Sequence, residues 1–202
     1  MQGRLADLKA HLPADWRPQK ILDFGCGTGN TTRALSALFP NAKVVGLDAS
    51  ASAVSYARQK SPGDHVYFER IESLSATGPY DLCYINGVFH HIDPSERPAA
   101  MKNIFGALRP GGFLALFENN PWNPGARLVM KNIPFDRGAR MLSHRQAQRL
   151  AREAGFQDLA MMRSLFYFPR WLAFLRFLEP ALAKIPFGAQ YYLLLRKRDS
   201  HG

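Results

Sequence analysis

The chain has little cysteine, few acidic residues in its second half, and no apolar run long enough to cross a bilayer. Each shortage excludes something. Cys26 and Cys83 are the only cysteines in 202 residues, with neither C-x-x-C spacing nor a histidine at ligand distance, so neither a disulfide framework nor a metal site is expected. The longest apolar stretches are broken by Arg or Pro before reaching about 18 residues, which argues against a membrane span. The opening residues, MQGRLADLKAHLP, lack the apolar centre of a secretion signal, so a cytoplasmic location and reduced thiols are expected. The sequon Asn30-Thr31-Thr32 is discounted on the same ground. No internal repeat or low-complexity tract occurs, and the length suits one domain, 1–202, that buries about two-thirds of its unfolded surface.

Charge is unevenly placed. Up to residue 120 there are 12 Lys and Arg against 11 Asp and Glu; from 121 onward there are 14 against 5, which carries nearly all of the net +10. An anionic substrate, an acidic lipid surface or nucleic acid would each exploit that excess, and a solvated basic face is the plain alternative.

Strand and helix signals alternate from Lys20 to Glu118, the pattern of βαβ units that build a parallel sheet. Strands are expected at 20–24, 43–47, 65–69, 80–85 and 113–118. Helices between them are expected from Asn30 or Thr31, as capping residues, to before Pro40; from Ser52 to Lys60; and from near Pro98 to the turn Arg109-Pro110-Gly111-Gly112. After Glu118 the segment 119–142 is rich in Pro and Gly and reads as an irregular insertion with a short helix near 125–132. Ser143 and Gln146 form a capping box for a helix that ends at Gly155. A strand from about Asp158 to Phe168, an aromatic-rich stretch to Phe187 and a last strand, AQYYLLLR, complete 143–202.

The most informative stretch is KILDFGCGTGN, Lys20 to Asn30: a buried strand running into a turn with Gly25, Gly27 and Gly29 at the mouth of a helix. Three residues without Cβ let the backbone turn tightly and let a ligand touch the main chain. A dinucleotide fingerprint needs glycine at the sixth place, where Asn30 stands, and a phosphate loop needs a lysine, yet none lies between Lys20 and Lys43. Asp48, at the end of the second strand, is placed to accept the two ribose hydroxyls of an adenosine.

What remains resembles motif I of the class I S-adenosylmethionine-dependent methyltransferases. YDLCYINGVFHHI resembles that family's motif IV, and LRPGGFLALFE resembles the helix-turn-strand after it, so the likeness covers residues 20–118 in order. The resemblance implies a Rossmann-like, doubly wound α/β fold with a mostly parallel seven-stranded sheet and an antiparallel last strand. It implies S-adenosylmethionine as donor and S-adenosylhomocysteine as product. Asp23, Gly25, Cys26, Gly27 and Gly29 would hold the methionine moiety, Asp48 the ribose, and Ala49 would lie against adenine. Asn86 would close over the sulfonium. Where many relatives carry an Asp-Ala pair after the third strand, this chain has Arg70 and Ile71, and Arg70 cannot accept the adenine amino proton. ENNPWNP, the PFD segment and GAQYY resemble a bacterial small-molecule subgroup with an E-x-N-P-x-N-P turn. The slot used for exocyclic-amine methylation holds Asn86-Gly87-Val88-Phe89 here, which speaks against that chemistry.

Methyl transfer from a sulfonium needs alignment and exclusion of water more than an elaborate catalytic group. A small-molecule or lipid-linked acceptor with an oxygen nucleophile is favoured. For a hydroxyl acceptor the candidate bases are His90, His91, Glu118 and Asp136. The histidine pair is also open to a packing role, as is His65; His144 is expected to be solvent-exposed. Arg127, Lys131, Arg137 and Arg140 are the candidate holders of an anionic acceptor. The aromatic and basic stretch Phe166 to Phe187 suits either core packing or a peripheral membrane contact. An RNA-binding protein or RNA methyltransferase is the alternative from another class, although no RNA-binding module or signature is present. A non-catalytic donor-binding protein ranks third.

Overall fold

The computed structural model describes residues 2–61, 65–133, 138–168 and 170–198. Its strands are β1 (Lys20–Phe24), β2 (Lys43–Asp48), β3 (Val66–Arg70), β4 (Tyr80–Asn86), β5 (Leu108–Asn119), β6 (Asp158–Leu165) and β7 (Gln190–Arg196). They form one seven-stranded sheet in the order β3-β2-β1-β4-β5-β7-β6. β1 pairs in parallel with β2 and β4, and β2 with β3, while β6 and β7 are antiparallel. The helices are α1 (Gln2–His11), α2 (Asn30–Leu38), α3 (Ala51–Gln59), α4 (Leu74–Thr77), α5 (Arg97–Ala107), α6 (Pro124–Asn132), α7 (His144–Ala154) and α8 (Glu179–Leu182). The expected doubly wound α/β architecture is therefore present. By internal contacts the chain divides into two compact units, the first comprising 1–85, 103–115 and 197–202, the second 86–102 and 116–196.

In the first unit, β1, β2 and β4 are nearly continuous apolar runs, and Ile21, Leu22, Val44, Leu47 and Leu82 are fully or almost fully buried. Strands covered on both faces require that pattern. Two expectations are corrected here. Neither Asn30 nor Thr31 caps α2: the cap is Gly29 at φ 80°, with no side-chain bond, and the Asn30 amide oxygen instead accepts from Arg33 at 2.6 Å. The fifth strand begins five residues earlier than expected, because Gly111 N–H donates to the Lys197 carbonyl at 2.8 Å and Lys197 N–H returns to Gly112 at 2.9 Å. That pairing draws the Pro-Gly-Gly turn into the ladder. The Lys197 ammonium meanwhile donates to the Phe105 and Leu108 carbonyls at 2.8 and 2.6 Å, satisfying the C-terminal end of α5.

In the second unit, Asn123 caps α6 by accepting from Ala126 N–H at 2.8 Å, with Pro124 at the first turn. The capping box of α7 is present as expected, and the helix ends on Gly155 at φ 117°. The ENNPWNP turn is a clamp. The Asn120 side chain, almost fully buried, donates to the Pro186 and Gly188 carbonyls at 2.9 and 2.8 Å, and Asn123 donates to the Phe187 carbonyl at 2.8 Å. Among the described residues no helix is long and apolar enough to cross a membrane.

Candidate functional site

β1 and β2 deliver their acidic residues side by side with the glycine loop between them. Gly25 and Cys26 N–H groups both donate to the Leu47 carbonyl, at 2.7 and 3.0 Å, which fastens the loop to the end of β2. Gly25, Gly27 and Gly29 all have positive φ, at 76°, 52° and 80°. Their surroundings differ. A Cβ on Gly29 would lie 2.6 Å from the Phe68 ring, whereas one on Gly27 would meet nothing within 4 Å. Gly29 is thus required by packing within the protein, and Gly27 leaves open space over the loop. Gly46, inside β2, plays the same packing role as Gly29, since its Cβ would approach Phe68, Thr32 and Cys26 within 3.0 Å.

Asp48 is oriented by two backbone donors. Gly27 N–H reaches Oδ2 at 2.7 Å and Ser50 N–H reaches Oδ1 at 2.8 Å, so each oxygen keeps lone pairs for a further donor. Asp23 is 2% exposed and accepts one hydrogen bond from Thr32 Oγ1 at 2.7 Å. Burial pushes its carboxyl up to about 7, the Thr32 bond opposing and the Asp48 charge adding. Thr32, which the sequence reading did not single out, therefore belongs to the site; its position in the first turn of α2 is the available signal. The Cys26 thiol packs with Val54, Ala57 and Phe68, and burial together with the two carboxylates pushes it up to about 12. Ala49 is exposed and Ile71 half-buried, on the 3₁₀ turn after β3. Arg70, opposite Asp48 in register, is engaged by Glu72, Nη2 to Oε1 at 3.0 Å.

The second unit holds Asn86, His90, His91 and Glu118. Glu118, fully buried, accepts Val88 and Phe89 N–H groups on Oε1 at 3.0 and 2.7 Å, and its Oε2 lies 2.6 Å from His90 Nδ1. With two backbone donors on one oxygen and His90 on the other, this carboxylate holds the 87–91 turn in place. His90 is 4% exposed, its ring 4.2 Å from that of the exposed His91. The buried Arg97 guanidinium, its pKa lowered by burial with the Glu118 charge opposing, donates to the Ile92 and Arg140 carbonyls, and Arg140 N–H donates to the His90 carbonyl at 2.8 Å. Asn86 Oδ1 is buried without a partner, which marks it as an acceptor held ready for a donor group.

Arg127 and Lys131, one turn apart on α6, line a cavity of about 690 Å³ with Pro124, Met130, Gly138 and Met141. Arg140 is exposed and its backbone, rather than its side chain, ties to the His90 turn. Arg137 and Asp136 lie outside the described residues. His144 corrects the expectation of exposure: it is 7% exposed, packed edge-on against Trp122 at 4.5 Å and near Tyr191, with its pKa lowered by burial and by Arg145.

A strand, a glycine loop fastened to the next strand and an acidic residue closing that strand define an adenosine-binding Rossmann-like domain, here on a sheet whose last pair is antiparallel. In its donor-binding core the chain is similar to the class I S-adenosylmethionine-dependent methyltransferases. Residues 21–112 match the methyltransferase domain family. Trans-aconitate 2-methyltransferase of Rhodopseudomonas palustris (strain BisB18) is 32% identical over 129 residues, 64% of this chain and 49% of that protein. The enzyme of the same name from Azoarcus sp. (strain BH72) is 30% identical over 153 residues, 76% of this chain and 59% of that protein. The chain thus spans about half the length of the curated relatives it matches. An S-adenosylmethionine-dependent methyltransferase from Mesorhizobium loti superposes with a TM-score of 0.68 at 21% identity, covering 95% of this chain and 96% of that one, a likeness of fold.

Proposed function

We propose that this chain methylates a carboxylate oxygen of a small polyanionic acceptor, a di- or tricarboxylate of the trans-aconitate kind. The observation that carries the acceptor half is the cavity bearing Arg127 and Lys131, two cations on one helical turn with no acidic residue among the described residues of its lining. The names of the curated relatives point the same way. S-adenosylmethionine supplies a methyl group already activated on a sulfonium. Asp48, aimed by Gly27 and Ser50, accepts the ribose hydroxyls; Asp23 takes the amino group of the methionine moiety; the open space over Gly27 admits the donor against the backbone. Ile71 and Ala49 flank adenine, and Asn86 offers an unpartnered acceptor oxygen. A carboxylate acceptor carries no proton to remove, which suits a Glu118 already engaged by the turn it supports. Alignment and exclusion of water then supply the rate.

The test follows labelled methyl transfer onto trans-aconitate and a panel of di- and tricarboxylates, with base lability as the mark of an ester. Arg127→Gln and Lys131→Gln should each raise the acceptor KM about tenfold or more, the scale of a lost charge-assisted hydrogen bond, with donor affinity nearly unchanged. Equal losses for both ligands would make these residues structural, and base-stable product would exclude an ester.

The two loop glycines separate donor contact from folding. Gly27→Ala should cost only about 1–2 kcal/mol, the left-handed penalty of a Cβ residue, yet abolish most of the melting-temperature rise that S-adenosylhomocysteine produces. Gly29→Ala adds overpacking against Phe68 and should cost about 2–5 kcal/mol with or without ligand. Full ligand stabilisation of Gly27→Ala would move the donor off the loop.

A further inference from the structure

We propose that residues 174–187 form a peripheral docking surface for an anionic lipid bilayer. Phe174 and Phe177 are 69% and 75% exposed on the 3₁₀ segment Arg170–Leu178, where residues three apart stack along one edge, and Leu178 is exposed beside them. Ile185 and Phe187 are exposed a few residues further on. Five large apolar side chains left in water within 14 residues exceed the scattered single exposures of an ordinary surface.

The charge around them selects the occupant. Arg176 and Lys184 are exposed in the same stretch, and the only acid between Phe166 and Phe187, Glu179, is turned into the fold, where its Oε1 accepts Tyr167 and Phe168 N–H groups at 3.0 and 3.2 Å. Within this stretch no other carboxylate therefore opposes an approaching anionic surface. Aromatic rings with interleaved cations suit the boundary between acyl chains and acidic headgroups, the rings entering and the cations staying at phosphate level. The segment is braced for this: the Asn120 and Asn123 amides hold the carbonyls of Pro186, Phe187 and Gly188.

Co-sedimentation of the full chain with vesicles tests it, comparing pure phosphatidylcholine with phosphatidylcholine containing phosphatidylglycerol as a minor component. Binding should require the anionic lipid and weaken with salt. Arg176→Gln and Lys184→Gln should each reduce it about fivefold, and Phe174→Ser with Phe177→Ser at least as much, with circular dichroism and melting unchanged because these side chains are exposed. Failure of the unmodified protein to bind anionic vesicles would overturn the proposal. So would full binding by the double serine variant, or a concentration-dependent dimer that the same variant abolishes, which would make a second copy the occupant.

Discussion

Asp23→Asn is expected to raise the stability of the ligand-free protein while weakening donor binding. The Asp23 carboxyl has an ordinary value of 3.8 and is held at about 7 by burial. Below pH 3.8 it is protonated in folded and unfolded chains alike, and nothing is lost. As pH rises the unfolded chain ionises first, so stability falls until the folded carboxyl also ionises near pH 7. A displacement of that size corresponds to about 4 kcal/mol at most. Asparagine keeps an acceptor for Thr32 Oγ1 and removes the charge, so at pH 8 the melting temperature should rise by about 5–10 °C and its decline between about pH 4 and 7 should flatten. Donor affinity should fall about 10–100-fold, since the amino group of the methionine moiety loses a charged partner. In the unmodified protein, donor affinity should grow as pH rises through 7, with proton release on binding visible as a buffer-dependent calorimetric heat. Unaltered affinity of Asp23→Asn would remove this residue from the donor site, leaving the stability gain as a property of the fold alone.

Glu118 should show the reverse balance, essential for structure and dispensable for chemistry. Glu118→Ala strands the Val88 and Phe89 amides and removes the counter-charge of the buried Arg97, at about 3–5 kcal/mol, or a drop of about 6–20 °C for a domain of this size. Glu118→Gln keeps an oxygen for both amides and presents an N–H to His90 Nδ1, which forces the imidazole proton onto Nε2. A base acting through Nε2 would then be silenced. For a carboxylate acceptor, methyl transfer by Glu118→Gln should persist within about tenfold of the unmodified rate, whereas a loss of about 10²–10⁴ would show that a proton is removed and that the acceptor is a hydroxyl.

The glycine loop and the acidic residue that closes the next strand were legible in the sequence because their signals are local. Gly25, Gly27 and Gly29 sit at fixed spacing after an apolar strand, and Asp48 ends the next one; the structure brings all of them to one loop through Leu47 and Gly27. What escaped was long-range. Nothing near Gly46 says that Phe68 and Thr32 will press against it, and nothing near Asn120 says that its partners are Pro186 and Gly188. His144 misled for a related reason: the first residue of a capped helix is usually wet, but Trp122 and Tyr191, from distant parts of the chain, close over it. The start of β5 was likewise decided by Lys197, far along the chain.

The tie between the Asn-Pro turn and residues 186–188 bears on how such enzymes diversify. Exchanging α6 and its flanks between relatives is the natural route to a new acceptor preference, but here the graft would carry Asn120 and Asn123 away from carbonyls that belong to a segment more than sixty residues later. The buried Gly188 carbonyl left without its donor would alone cost about 1–3 kcal/mol. The two stretches form one heritable cassette despite their separation along the chain, so recombination that respects the linear order alone would produce misfits, and exchange of both together would keep these bonds.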